Sequence, residues 1–199
     1  LWIGALLGQS VSLELWQRAC AQAGSPLSDA LPWALVEARL ALAERDPEGV
    51  AFVHSMLRES LERSAVEAGR AAGLHAACAR ALAAQGGAGH EGRVARHWLA
   101  AGQVAQGVEW LLRGADQGLR AGELLRAGSE LLRARQALGT LDDEAAQAQR
   151  ARVLLGSARL QTERGALDDA DLSAAEALGL ALRFGWPALE VQARLCQAK

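Results

Sequence analysis

The sequence predicts a mainly α-helical protein whose only sheet is one small β-hairpin. Three observations predict it. Of the 199 residues, 44 are Ala and 34 are Leu, types that lose little on entering a helix. Strand formers are scarce, with one Ile, ten Val, two Thr, two Phe and no Tyr, too few for an all-β domain. The third is a single local enrichment, Val50-Ala51-Phe52-Val53, just after the turn-forming run Asp46-Pro47-Glu48-Gly49.

The elements follow in order. A short apolar helix from Leu1 to Leu7 ends at Gly8. Ser12 is placed to cap a second helix, Leu13 to Ala23, which Gly24 closes. Ser28-Asp29 can cap a third, running to about Arg39. Leu40 to Arg45 and Val50 to His54 then read as the two strands of the hairpin. Helices resume at Ser55 and run to about Ala84, with a break near Ala68-Gly69. Three helices followed by a two-stranded wing is the order of a winged helix. Its charge argues against a DNA reader: residues 1–50 hold three Arg against six carboxylates, a net of −3, whereas phosphate contacts need several cations. A structural connector is the expected use.

Residues 93–199 read as helix with a repeated signature. Gly102-x-Val104-x-x-Gly107 has its next small residue at Gly114. Gly122-x-Leu124-x-x-Ala127 has it at Ala134, and Gly165-x-Leu167-x-x-Ala170 has it at Ala177. Glycine ends one helix, and small residues a heptad apart let the next pack closely on a neighbour. These are marks of tetratricopeptide-type helical hairpins, here degenerate, because the glycines are spaced 20 and 43 residues apart. One helix is expected between the first two glycines and two between the next pair. The predicted organisation is a winged-helix-like part with its following helices over 1–85, a Gly-rich linker at 86–92, and helical repeats over 93–199.

Chemistry is bounded by one count. The 21 basic residues are 20 Arg and a single Lys, Lys199, which removes the Walker A loop, a kinase phosphate-binding lysine and Schiff-base catalysis. Gly87-Ala-Gly89-His-Glu-Gly92 matches a dinucleotide fingerprint by letter but lacks the preceding strand, so it reads as linker. His75 and Cys78 lie one helical turn apart, short of the roughly four ligands of a zinc site; core packing is the expected role. His54 is read as a helix-terminus hydrogen-bonding residue and His75 as an interhelix contact. Asp142-Asp143-Glu144 and Asp168-Asp169-Asp171 are read as helix starts, and Trp98 and Trp110 as interhelix packing. No nucleophile–base arrangement is visible, so no catalytic, cofactor-binding or metal-binding residue is expected. One basic feature stands out: residues 93–139 carry seven Arg against four acids. Arg113 and Arg120 are a heptad apart, as are Arg126 and Arg133, so each pair shares a helix face. These four are the candidate contacts for an anionic partner.

A resemblance adds to this. Phe52-Val-His54-Ser-Met-Leu57-Arg58-Glu59, with His75 and with Arg96-His97-Trp98-Leu99-Ala-Ala-Gly102 leading into the repeats, resembles the region after the ATPase module of large bacterial signal-transducing ATPases of the STAND type. That family includes maltose-regulator-like activators and ATPases fused to serine/threonine kinases or adenylate cyclases. The resemblance implies structural roles for Phe52, His54, Arg58, Glu59, His75, His97, Trp98 and Gly102. Arg39 departs from it, standing where glycine is common before the hairpin. It implies a non-catalytic regulatory or scaffold segment, with ATP bound by a domain upstream of Leu1. Its expected partners are a protein or small-molecule inducer and the neighbouring nucleotide-binding domain in cis, with self-association as a further option. A DNA-binding regulator using the winged helix is the alternative. The apolar pattern is already running at Leu1, which reads as a piece of a longer chain. No apolar stretch reaches the ~18 residues of a membrane span, and three widely spaced cysteines fit a reducing cytoplasm.

Overall fold

The computed structural model describes residues 1–45, 48–86, 89–139 and 141–198. It is mainly helical with one small antiparallel sheet, and divides into two compact units, Leu1–Gly102 and Gln103–Lys199. The first unit runs α1 (Trp2–Leu7), β1 (Ser10–Ser12), α2 (Leu13–Gln22), α3 (Ala30–Glu37), β2 (Ala41–Arg45), β3 (Glu48–Phe52), α4 (Ser55–Glu67), α5 (Ala71–Gln85) and α6 (Glu91–Ala100). The second is α7 (Val104–Arg120), α8 (Leu124–Leu138), α9 (Glu144–Glu163), α10 (Leu167–Phe184) and α11 (Pro187–Gln197).

The sheet corrects the sequence reading. The hairpin exists, with Ala41 opposite Phe52 and Arg45 opposite Glu48, but a third strand joins it in the order β1-β3-β2. Ser10, Val11 and Ser12 pair with Ala51, Val50 and Gly49. Three residues give almost no period-two signal in sequence, yet Val11 and Val50 are both buried by this pairing. Gly49 belongs in sequence to the turn-forming run. Its structural duty is closer contact, since a Cβ there would lie 2.3 Å from the Val11 carbonyl oxygen. The turn residues Asp46 and Pro47 lie outside the described residues, as do Gly87 and Ala88 of the expected linker, Thr140 and Lys199.

Local signals explain most helix ends. The Ser12 hydroxyl accepts from the Leu15 N–H at 3.3 Å and starts α2. The third helix stops at Glu37, and Arg39 adopts φ 59°, the left-handed region that favours glycine. From there the Leu40 N–H reaches back to the Leu35 carbonyl at 2.9 Å, closing the helix before β2. Arg39→Gly is therefore expected to stabilise the first unit by up to about 1 kcal/mol. The readout is a higher urea midpoint at unchanged slope.

α1, α2 and α5 enclose the core of the first unit, where Trp16, Phe52, Leu7, Leu82 and Cys78 are buried. α6 packs on α5, which is why the break between compact units falls at Gly102 and the segment 86–92 lies inside the first unit.

In the second unit, Gly102 and Gly122 flank α7, while α8 and α9 lie between Gly122 and Gly165. All three glycines are left-handed, at φ 73°, 74° and 74°, the conformation that ends a helix and reverses the chain. The small residues they announce, Gly107 and Gly114, Ala127 and Ala134, Ala170 and Ala177, are all buried. Gly118 shows why size matters, because a Cβ there would meet the Ala127 backbone nitrogen at 3.2 Å. Short turns make consecutive helices antiparallel. Asp143 opens α9, its Oδ1 accepting from the Ala146 N–H at 2.9 Å, and Asp168 and Asp169 occupy the first turn of α10. Both acidic clusters are thus helix starts.

Candidate functional site

Two antiparallel steps bring α9 parallel to α7, and the ion pairs between them record the register. Arg152 donates through Nη1 and Nη2 to the two carboxylate oxygens of Glu109, at 2.5 and 3.4 Å. Arg159 donates through Nη1 to Asp116 Oδ1 at 2.9 Å. Both pairs join residues 43 apart, the same offset that separates Gly122 from Gly165. The Arg152 hydrogen bond is the largest influence holding the Glu109 carboxyl below its usual range.

Against this pair lies α11, which packs on α9 and α10. The helices α7, α9 and α11, with Leu131 of α8, line a trough of about 440 Å³, inside the roughly 300–1,000 Å³ typical of ligand sites. Its apolar surface comes from Leu112, Leu119, Leu155 and Leu195, its charged surface from Arg113, Asp116, Arg152 and Arg159. Cys196 also lines it and is half-buried, whereas Cys20 and Cys78 are buried. Arg113 lies 4.9 Å over the Trp110 ring, an arrangement that fixes a guanidinium by cation–π attraction.

The four arginines singled out from sequence are therefore split between helices. Arg113 lines the trough, and Arg120 joins its edge by pairing with Asp116 at 2.5 Å. Arg126 and Arg133 stand on α8, do not line the trough, and pair with Glu123 and Glu130 one turn earlier. Arg152 and Arg159 lie on α9, beyond the basic run at 93–139 and on a different helix from Arg113 and Arg120. The sequence offers only a partial signal for them: Gly122 and Gly165 are also 43 apart, but they precede α8 and α10 rather than α7 and α9.

A second cluster lies in the first unit. His75 on α5 meets His97 on α6, their Nδ1 atoms 2.9 Å apart, so His75 is the interhelix contact expected. His97 is fully buried. Its Nε2 faces the Arg96 Nη2 at 3.5 Å. A guanidinium only donates, so Nε2 is the acceptor, and Nδ1 carries the proton given to His75. Burial first, then Arg96, His75 and Arg93, hold the His97 pKa down to about 3; His75 is lowered by burial and Arg96. One turn from His75, the Cys78 thiol is fully buried and pushed up to about 12, first by burial, which makes it a poor nucleophile. Among the described residues, neither these three nor any other group of three or more His, Cys, Asp and Glu side chains is arranged to hold a metal ion.

The remaining motif residues serve the fold. Phe52 packs its ring against Trp16, centroids 6.4 Å apart. His54 is the N-cap residue of α4, but its side chain makes no cap hydrogen bond, so the hydrogen-bonding role expected of it is replaced by a backbone one: its carbonyl accepts from the Leu57 N–H at 3.2 Å. Extended backbone at φ −117° presents that carbonyl without the side chain. Arg58 pairs with Glu62 one turn on. Glu59 is exposed on α4 and Trp98 is half-buried on α6. Gly102 supplies the left-handed turn after α6.

Neither a family model, nor a curated protein, nor a solved structure matches the chain. Among the described residues, no helix is long and apolar enough to cross a membrane.

Proposed function

We propose that the chain is a non-catalytic regulatory segment of a larger signalling ATPase, in which the second unit binds a partner or inducer and the first serves as a winged-helix-like connector. The observation that carries this reading is the trough lined by α7, α9 and α11. It is concave and combines an apolar lining with a charged one. Two further features support it. The element order α1-β1-α2-α3-β2-β3 is that of a winged helix, with β1 supplying the short third strand. Ion pairs that tie α7 to α9, one helical hairpin further on, fit stacked hairpins of TPR-like kind, with a 43-residue offset longer than the roughly 34 of a regular tetratricopeptide repeat. ATP would belong to a neighbouring domain, since no internal lysine serves a phosphate loop.

Selection of the full chain against a random-peptide display library tests the reading. The expected result is binders that protect amides of α7, α9 and α11 from hydrogen exchange, alongside no ATP hydrolysis by the chain. ATP turnover that co-purifies with the chain and disappears with a point substitution in it would overturn the proposal. So would binders that protect only the first unit.

A further inference from the structure

The charge of the trough specifies its occupant more narrowly. Four guanidinium groups, Arg113, Arg120, Arg152 and Arg159, share two carboxylates, Glu109 and Asp116, leaving a net charge of +2. The sharing is uneven. Arg113 spends only its Nε, in a long 3.4 Å contact with Glu109, and its two terminal amino groups have no acceptor among the described residues. Between these donors the floor is leucine. Among the described residues, the lining has no aromatic face on which a base or sugar ring would stack, and Gln192 is its only side-chain amide. A nucleotide's phosphates match the guanidiniums, but its base finds no ring to stack on, and a neutral sugar finds little to recognise it. A ligand that alternates carboxylates with aliphatic groups matches both surfaces at once.

Resting on the binding role proposed above, we infer that the trough takes an acidic peptide segment of a protein partner. Its carboxylates meet Arg113, Arg152 and Arg159, and its aliphatic side chains lie on Leu112, Leu119, Leu155 and Leu195. Guanidinium–carboxylate contacts give orientation through paired donors, and the leucines add area removed from water. The partner's charge also raises its encounter rate, an effect that salt suppresses.

Three capped, fluorescent octapeptides that alternate leucine with glutamate, glutamine or lysine test the inference by anisotropy with the full chain. The expected order is glutamate at least tenfold tighter than glutamine, with lysine unbound, and the preference shrinking as salt rises. Arg113→Gln, which gives up one long ion pair with Glu109 and the contact over the Trp110 ring, is expected to weaken the glutamate peptide about fivefold to tenfold. Arg152→Gln also removes a tie between α7 and α9, so Gln192→Glu is the companion variant. It adds a carboxylate to the exposed lining, leaves every ion pair intact, and is expected to weaken binding by a similar factor without changing the urea midpoint. Equal affinity for the glutamate and glutamine peptides would overturn the acidic partner while leaving the display experiment to judge the binding role. Preference for the lysine peptide, or no binding by any of the three, would overturn it too. So would tighter binding of duplex DNA at the same residues, or a trough closed by dimerisation that sedimentation reveals as a doubled mass.

Discussion

Trp16→Ala is expected to remove about 3–5 kcal/mol from the first unit, the usual cost of emptying a buried aromatic site. Trp16 is fully buried and stands between two features that cannot follow a shrinking side chain. On one side is the Phe52 ring, tilted by 51° at the end of the central strand β3. On the other is Gly4 of α1, where even a Cβ would lie 2.6 Å from the indole Cζ2. Backbone and sheet hold both in place, so the cavity stays open. The conservative change separates volume from polarity. Among the described residues the indole Nε1 is buried without a hydrogen-bond partner, and an orphan donor of this kind itself costs about 1–3 kcal/mol. Trp16→Phe deletes that donor with part of the ring, and its net loss is expected to stay under about 2 kcal/mol. Urea unfolding, followed by hydrogen exchange of the α2 and α5 amides, reads both. A Trp16→Ala variant within about 1 kcal/mol of the parent would mean that the core collapses around the gap.

What the sequence disclosed and what it hid divide along a physical line. Features set by local backbone conformation were legible. Gly102, Gly122 and Gly165 marked chain reversals because the left-handed region excludes most other residues, and the small residues after them marked buried faces. Arg39 was legible as a departure, and φ 59° shows why glycine would suit that position. Features set by long-range pairing were not. β1 is three residues long, and its partner is some forty residues away, so only the folded sheet reveals it. Gly49 carried a turn signal that masked its closeness to Val11. The trough depends on the register of α7 against α9, which no window along the chain contains. Arg113 was found from its own helix, whereas Arg152 and Arg159 required knowing which turn of α9 lies beside which turn of α7.

Acid is expected to destabilise the first unit through His97 well before most carboxylates titrate. In the unfolded chain His97 takes up a proton near its ordinary value of 6.5, while in the fold its pKa is held down to about 3. Between those values the unfolded state binds more protons than the native state, so stability rises with pH. The contribution is fully present above about pH 6.5 and is lost as pH falls toward 3. Each pH unit in this window costs about 1.4 kcal/mol, so at about pH 4.5 His97 alone removes about 2–3 kcal/mol. The cause is geometric. A protonated His97 would direct one N–H at the Arg96 guanidinium and the other at His75, with Arg93 adding a further positive charge. His75 shifts in the same direction and adds to the slope. His97→Gln stays neutral and able to hydrogen-bond, so it is expected to be less stable than the parent at pH 7 but to lose about 2–3 kcal/mol less between pH 7 and about pH 4.5. Proton NMR of the imidazole gives the direct check: the His97 Cε1–H resonance of the folded protein should not move until well below pH 5, and a midpoint near 6.5 would defeat the prediction.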